Sequence, residues 1–315
     1  MPFIAEGVIP ATLVAFHQDY EIDVEASRKH LRDVAAVDGL NAITVNGHAS
    51  EIHAFTLNEQ QRLLAESLEE VGDSLPLVNG VYADGSHAAV AVAKMSTTEG
   101  ASALLVFPPN SMSMGGQLCP EMAINHFSMI ASATDLPLIL FQYPASTGLG
   151  YPFETLLRIF KAVPSVVAIK DWCNDPMLHE RHIRTFQSLP RRVNVLSTHS
   201  SWLMASLSMA PAGLLSGAGS VIADLQVELF NAMQRNDLAS ARHINDRIYP
   251  LAQAFYRAPF LDMHNRMKEC LVLLGRIEEA VVRPPLQKLE ETEISFLEEA
   301  LVDAGLLGEA TRRFG

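Results

Sequence analysis

The sequence predicts an α/β protein, a (β/α)8 or TIM barrel followed by a C-terminal helical domain. Eight short apolar runs rich in β-branched residues recur along the chain, and their starts lie roughly 20 to 35 residues apart. Segments with the spacing of amphipathic helices separate these runs. After about Asp224 the strand pattern stops, and only helical patterns follow.

Each predicted strand is a short apolar run. In chain order the runs are GVIPATLVAF (7–16), NAITVN (41–46), LPLVNGVY (75–82), ASALLVFPP (101–109), LPLILFQYP (136–144), VVAIKDW (166–172), RVNVLSTH (192–199) and AGLLSGAG (212–219). Helical spacing is clearest between the first four runs, where Asp23 and Thr56 are suitable N-caps. Strands that alternate with helices pair in parallel, and eight such units close into a barrel.

Four helical patterns fill the rest of the chain, so we place the barrel at 1–224 and the helical domain at 225–315. No linker rich in Pro, Gly or Ser separates the two parts, and we expect the helices to pack against the barrel. An open doubly wound sheet is the alternative. It would need a glycine-rich phosphate turn after an early strand, and the sequence contains no GxGxxG.

Composition argues against several classes of function. A net charge of -13 argues against nucleic-acid binding. Three widely spaced cysteines without a CxxC argue against a disulfide scaffold or a zinc site and favour a cytoplasmic location. We see no signal peptide at the N-terminus. Residues 193–223 carry no charged side chain, but Pro211, three glycines and many serines predict buried structure rather than a membrane span.

Active sites of such barrels lie at the C-terminal ends of the strands. That rule selects residues 46–51, 108–110, 141–143, 170–172, 198–199 and 216–219. Among them Lys170 follows an apolar strand. If it points into the barrel, alternation places Ala168 and Val166 on the same side. Apolar walls lower the pKa of a lysine, and a neutral amine forms Schiff bases with ketones.

Seven segments in this order resemble the dihydrodipicolinate synthase / N-acetylneuraminate lyase family of class I aldolases. They are NGHASE, LPLVNGV, FPP, LPLILFQYPASTG, VVAIKDW, GLLSGAGS and VRPPL, within residues 7–306. The resemblance implies a barrel with a C-terminal helical domain, usually assembled as a homotetramer (a dimer of dimers). It implies a Schiff base between Lys170 and pyruvate or another 2-oxo acid. Because the imine is the electron sink, no metal or organic cofactor is expected.

The chain departs from the family pattern at several positions. The family's carboxylate-binding loop, Gly-Thr-Thr-Gly-Glu, is replaced by residues 47–51, Gly-His-Ala-Ser-Glu. We expect Gly47 and the amides of Ala49 and Ser50, with the Ser50 hydroxyl, to bind the carboxylate. The proton-relaying tyrosine of strand five aligns with Phe141.

Two further departures concern the second substrate of the synthases. The strand-four tyrosine aligns with Asn110, and the arginine that binds the second carboxylate aligns with Ser146. Ser216 matches the family's strand-eight serine, and Gly217 would let the backbone approach a ligand.

Three residues are candidates to replace the missing tyrosine as the proton-transfer group. His48 lies beside the expected carboxylate site, Tyr143 lies two residues beyond Phe141, and His199 follows strand seven. Each is also consistent with an ordinary hydrogen-bonded loop residue. Trp172 shares its side of the strand with Lys170 and is expected in the pocket wall, which favours a hydrophobic or aromatic aldehyde partner.

Metal sites are not expected. HERH at residues 179–182 is interpreted as a solvated helix face, and the spacing among His17, His48, His53 and His199 is not diagnostic of a metal site. We therefore predict a lyase that cleaves or forms an aldol of a 2-oxo acid, such as pyruvate, with an unidentified aldehyde. The alternatives are a sugar-acid dehydratase or dihydrodipicolinate synthase using the same imine, and a non-catalytic 2-oxo-acid-binding relative.

Overall fold

A parallel sheet curled into a barrel is the centre of the computed structural model, which describes residues 3–308. Within that range the eight strands are β1 (Gly7–Pro10), β2 (Ile43–Val45), β3 (Leu77–Val81), β4 (Ala103–Val106), β5 (Leu138–Gln142), β6 (Val166–Asp171), β7 (Asn194–Ser197) and β8 (Gly213–Ser216). They pair in the order β1-β8-β7-β6-β5-β4-β3-β2. Bridges Val8–Leu40 and Ala11–Thr44 bring β1 to β2. The predicted barrel is confirmed.

Helices follow the strands as predicted. They are α1 (Val24–Ala35), α2 (Leu57–Val71), α3 (Ser86–Glu99), α4 (Pro120–Ala131), α5 (Phe153–Ala162), α6 (Pro176–Phe186), α7 (Leu203–Leu207), α8 (Gly219–Gln234), α9 (Leu238–Phe255), α10 (Met263–Leu273) and α11 (Glu291–Asp303). Both predicted caps are present: Asp23 accepts from the Ala26 amide, and Thr56 forms a capping box with Glu59.

The C-terminal helices share one core with the barrel. Ile9 and Leu214 of the barrel belong to the same buried cluster as Phe255 of α9 and Leu297 of α11. The expectation that this segment packs against the barrel is therefore confirmed. The proposed boundary at 224/225 falls within α8, near the non-helical Ile222 (φ -128°, ψ 41°). The division into two domains stays a prediction.

Residues 193–223 form the end of the barrel rather than a single long helix. They contain β7, α7, β8 and the first residues of α8. Between residues 3 and 308, no helix has both the length and the apolar character needed to cross a bilayer.

One strand-level prediction is wrong. Strand alternation predicts Val166 in the barrel interior with Ala168 and Lys170, but Val166 packs in the outer cluster between the sheet and the helices. Leu138 pairs with Val166, whereas the next residue, Ile139, pairs with Ala168. This bulge inserts Val167 as an extra residue and reverses the alternation below it.

Candidate active site

A pocket opens at the C-terminal end of the barrel. Its walls come from strand ends and from the segment between α9 and α10. The lining residues are His48, Ala49, Phe141, Lys170, Trp172, Asn174, Thr198, His199, Ser200, Ser201, Gly217, Tyr256, Phe260 and Met263.

Lys170 lies near the end of β6, paired in register with Phe141 of β5 and Leu196 of β7. Its side chain is 3% exposed, and its Nζ lies 4.1 Å from the centre of the Phe141 ring. Within the described chain Nζ forms no hydrogen bond or ion pair. Burial lowers the pKa of Lys170 to about 7. A substantial fraction of the amine is therefore neutral, and nucleophilic, near neutral pH.

His48 belongs to the loop after β2. A residue with left-handed backbone conformation lies at each end of this loop. Asn46 has φ 49° and Glu51 has φ 62°, and Asn tolerates this conformation better than most residues. The side-chain amide of Asn46 donates to the Gln60 backbone carbonyl and to the Asn79 side-chain oxygen, each at 2.8 Å. β3 approaches so closely that a Cβ at Gly80 would lie 1.8 Å from the Asn46 carbonyl oxygen, so only glycine fits there.

The His48 ring faces the pocket with a neutral imidazole. Burial, with contributions from His264 and Lys170, lowers the pKa of His48 well below its usual value. The ring lies 5.1 Å from the His264 ring and 6.5 Å from the Tyr143 ring. No hydrogen bond joins its nitrogens to another described residue. The unengaged nitrogen of this neutral imidazole can accept a proton, and the lowered pKa makes it a weaker base than an exposed histidine.

The rest of this loop only partly matches the predicted carboxylate site. Ala49 lines the pocket next to Gly217. A Cβ added at Gly217 would lie 3.3 Å from the Ala49 Cβ. The Ser50 hydroxyl donates to the Thr12 carbonyl (2.7 Å) and accepts from the Gly47 amide (3.2 Å). Gly47 and Ser50 therefore support the loop from behind, and the Ser50 hydroxyl is not a free donor.

Aromatic rings surround the lysine. The Phe141 and Tyr143 ring centres are 4.6 Å apart, and the Tyr143 and Trp172 ring centres are 5.3 Å apart. Phe141 and Trp172 line the pocket, whereas Tyr143 contacts lining residues without lining it itself. Burial raises the pKa of Tyr143, so its hydroxyl remains protonated at neutral pH.

Three lining residues come from the segment after α9 and were missed by sequence reasoning. They are Tyr256, Phe260 and Met263. Burial raises the pKa of Tyr256, and hydrogen bonds with Ser200, Ser216 and the Ala218 backbone partly offset this effect. Their helical surroundings gave no strand-end signal. By contrast, Ser200 and Ser201 come directly after Thr198 and His199, the residues that the strand-end rule selected after β7.

His199 lines the pocket, but its nitrogens are engaged elsewhere. Its Nε2 accepts from the Asn174 amide at 3.2 Å, and its Nδ1 lies 3.5 Å from the Ser197 hydroxyl. Burial lowers the pKa of His199 to about 3. Neither nitrogen is available to a ligand in this arrangement. Ser216 is also internal, because its hydroxyl contacts Ser200 at 2.7 Å and accepts from Gln226 at 3.0 Å.

The interpretation of HERH as a solvated face is wrong. His179 and His182 are fully buried, and the Nδ1 of each lies 2.8 Å from Asp171 Oδ2. Burial alone would raise the pKa of Asp171, but His182 and His179 hold it well below its usual value. The two histidines face the sheet because Asp171 points outward from β6 towards α6. The two histidines are therefore buried because they pair with a buried anion, the Asp171 carboxylate.

Four groups of this network lie close enough for metal binding to be considered. They are Asp171, Cys173, His179 and His199, whose ligand atoms lie within 4.8 Å of one another. Hydrogen bonds already engage them: the second nitrogen of His179 lies 2.8 Å from the Ser206 hydroxyl. Burial also raises the pKa of the Cys173 thiol, which opposes the thiolate a metal requires. The cluster fits a hydrogen-bonded network better than a metal centre, and the absence of a metal stays a prediction.

Comparison with known proteins agrees with this architecture. The model of the Dihydrodipicolinate synthetase family matches residues 4–304. The chain belongs to this family. An uncharacterized DapA-like lyase from Halobacterium salinarum is 28% identical, over 97% of this chain and 96% of that protein. A 4-hydroxy-tetrahydrodipicolinate synthase from Methanopyrus kandleri is 26% identical, over 98% and 99%. The crystal structure of YagE from E. coli K12 in complex with pyruvate has a TM-score of 0.87 at 21% identity, over 96% and 100%.

The resemblance to the dihydrodipicolinate synthase family is thereby confirmed, and with it the prediction of a lyase at the family level. The predicted site residues are mostly brought together. Those that line the pocket are Lys170, His48, Ala49, Phe141, Trp172, His199 and Gly217. Tyr143, Gly47, Ser50 and Ser216 lie outside the lining. Asn110 and Ser146, at the positions of the synthase tyrosine and arginine, also do not line it, and both are exposed.

Proposed function

We propose that this member of the dihydrodipicolinate synthase family is a class I aldolase whose Lys170 forms a Schiff base with pyruvate. The observation that carries the proposal is the environment of the lysine amine: it is buried, its pKa is lowered to about 7, and it lines an accessible pocket. The pyruvate complex of the structurally similar YagE supports pyruvate as the 2-oxo acid.

In the cleavage direction, neutral Lys170 attacks the C2 ketone of the substrate, and loss of water gives a protonated imine. Removal of the C4 hydroxyl proton then breaks the C3–C4 bond, and the electron pair moves into the imine. This releases an aldehyde and leaves an enamine. Protonation at C3 and hydrolysis release pyruvate and restore the lysine.

His48 is the proposed proton acceptor for the C4 hydroxyl, because its neutral ring lines the same pocket as Lys170. The amide of Ala49, in the same loop, is the proposed donor to the substrate carboxylate. Phe141 cannot transfer a proton and acts as an apolar wall beside the amine. No metal or organic cofactor is part of this proposal, since the imine accepts the electrons.

The proposal includes a cytoplasmic homotetramer. The free cysteines Cys119, Cys173 and Cys270 are consistent with a reducing compartment. Exposed apolar side chains near the pocket end of the barrel, Met114 and Leu118, are consistent with a subunit contact.

Deuterium exchange into the pyruvate methyl group, followed by proton NMR in D2O, tests the imine without requiring the aldehyde. We expect the wild-type protein and the Lys161→Met control, which alters an exposed lysine, to catalyse exchange. Lys170→Met should abolish it. Equal exchange by Lys170→Met and wild type would refute the role of Lys170.

A further inference from the structure

We propose that the aldehyde partner is an uncharged aromatic aldehyde that packs on the surface formed by Trp172, Phe260 and Tyr256. This set is called the aromatic stack below. The inference rests on the proposed function, because it names the second reactant of the same site.

The aromatic stack joins the barrel to the C-terminal segment. The Trp172 and Phe260 rings are stacked, with centres 4.8 Å apart and planes 20° apart. Phe260 and Tyr256 are also stacked, at 5.7 Å and 24°. All three line the pocket and are only partly buried. They line the same pocket as Lys170, and a planar ring packs well against aromatic side chains.

The charges of the pocket also favour an uncharged aldehyde. Among the lining residues, which all belong to the described part of the chain, Lys170 is the sole Lys, Arg, Asp or Glu. Once it forms the imine, its charge is balanced by the pyruvate carboxylate. The pKa values of His48 and His199 are lowered, so neither ring supplies a cation at neutral pH. A second carboxylate would be buried without a partner, which is strongly unfavourable.

The polar lining residues include Asn174, Thr198, Ser200 and Ser201, and Ser200 adjoins the aromatic stack through its hydrogen bond with Tyr256. Part of their hydrogen-bonding capacity is already used: the Ser200 hydroxyl contacts Ser216, and the backbone N–H of Asn174 donates to His199. A polyhydroxylated aldehyde would need a hydrogen-bonding partner for each of its hydroxyls. An aromatic aldehyde needs few, and its ring can contact the aromatic stack.

Condensation of the enamine with the aldehyde needs no further reactant. C3 of the enamine attacks the aldehyde carbon, forming one carbon–carbon bond, and the aldehyde oxygen takes up a proton. That proton replaces the one lost from C3 when the enamine formed. With benzaldehyde, hydrolysis of the imine gives 4-hydroxy-4-phenyl-2-oxobutanoate and free Lys170, without any oxidant or reductant.

The test compares kcat/KM for condensation of pyruvate with benzaldehyde, D-glyceraldehyde and succinic semialdehyde. We expect at least a tenfold preference for benzaldehyde over the other two. Phe260→Leu keeps an apolar side chain but removes a ring, and should lower the benzaldehyde-to-glyceraldehyde ratio about 3- to 10-fold. Phe296→Leu, which alters a partly exposed phenylalanine of α11 outside the pocket, is the matched control and should change no ratio.

A second measurement does not depend on the imine. Quenching of tryptophan fluorescence by benzyl alcohol, with glycerol as control, is measured without pyruvate in the wild type, Trp172→Phe and Phe260→Leu. Saturable quenching that is lost in Trp172→Phe and weakened in Phe260→Leu supports the aromatic subsite even if Lys170 proves unreactive. Preference for glyceraldehyde or succinic semialdehyde, an equal loss for all aldehydes in Phe260→Leu, or absence of saturable quenching would overturn it.

Discussion

Lys170 is buried where an ammonium ion is poorly solvated, and this has a consequence for stability as well as for reactivity. Its pKa is lowered to about 7 by burial, whereas an unfolded chain keeps a lysine pKa of about 10.4. The unfolded state therefore binds more protons between these values. The resulting destabilisation is absent above the unfolded pKa, grows as the pH falls, and is complete below about 7.

Lys170→Met should therefore stabilise the protein. We expect the free energy of unfolding to rise by about 4 kcal/mol at pH 7 and by less than about 1 kcal/mol at pH 10, because the proton linkage disappears. Urea denaturation at the two pH values measures this difference. The control, Lys161→Met, should show no such pH dependence, and an equal effect of Lys170→Met at both pH values would contradict the burial of the charge.

His48 and Tyr143 make different predictions for proton transfer. Because His48 is the proposed proton-transfer partner of the C4 hydroxyl, His48→Gln should slow condensation of pyruvate with its preferred aldehyde by about 100-fold, a typical contribution of a general base. Tyr143→Phe should slow it less than about threefold, because Tyr143 does not line the pocket. Deuterium exchange into pyruvate in the wild type should increase as the pH rises through about 7. A larger loss in Tyr143→Phe would reverse the assignment.

Individual residues were predictable from the sequence when a local rule applied to them. Lys170, Phe141 and Trp172 were found because they follow apolar strands. Tyr256 and Phe260 were missed because their position depends on how the C-terminal helices fold back over the barrel. The engagement of His199 by Asn174 also lay beyond sequence reasoning, since it depends on a loop conformation.

Among the elements, α10 holds the loop that carries His48. Lys268 of α10 is buried, and its Nζ lies 2.5 Å from Glu51 Oε1. The Arg283 amide donates to the other Glu51 oxygen at 3.0 Å. Burial lowers the pKa of Lys268 to about 8, with Glu51 opposing the shift. Because this value lies above 7, Lys268 is largely protonated at neutral pH, and it contacts Glu51 at the end of the loop that carries His48.

Lys268→Met should leave the Glu51 carboxylate buried and unpaired. We expect a loss of about 3 to 5 kcal/mol in the free energy of unfolding, together with slower pyruvate exchange as the loop loosens. Adding Glu51→Gln should recover part of the stability, because no unpaired charge remains. Urea denaturation measures both effects. The control is Lys288→Met at an exposed position, and a comparable loss in that variant would argue against the ion pair.

The type of each element was predicted better than the direction in which its side chains point. Strands and helices alternate as expected, because apolar runs and helical spacing reflect burial directly. The bulge at Val167 and the inward face of α6 were not expected. Both depend on tertiary partners: the register of β5 against β6 sets the first, and the buried Asp171 draws His179 and His182 inward.

At the scale of the whole molecule, the pocket is complete only when the C-terminal segment is packed against the barrel. Lys170 and His48 come from the barrel, while Tyr256, Phe260 and Met263 come from the C-terminal segment. The shared core of Ile9, Leu214, Phe255 and Leu297 joins these parts. Barrel topology and family membership were predictable from the sequence, since they are encoded by repeated patterns over nearly the whole chain.

The most direct measurement is borohydride trapping of the intact protein with pyruvate, read by mass spectrometry and peptide mapping. We expect one reduced pyruvyl group per chain, located on Lys170 and absent from Lys170→Met, with the yield rising as the pH passes through about 7. No adduct with pyruvate, 2-oxobutyrate or 2-oxoglutarate, or an adduct on another lysine, would contradict the Schiff-base function proposed for Lys170.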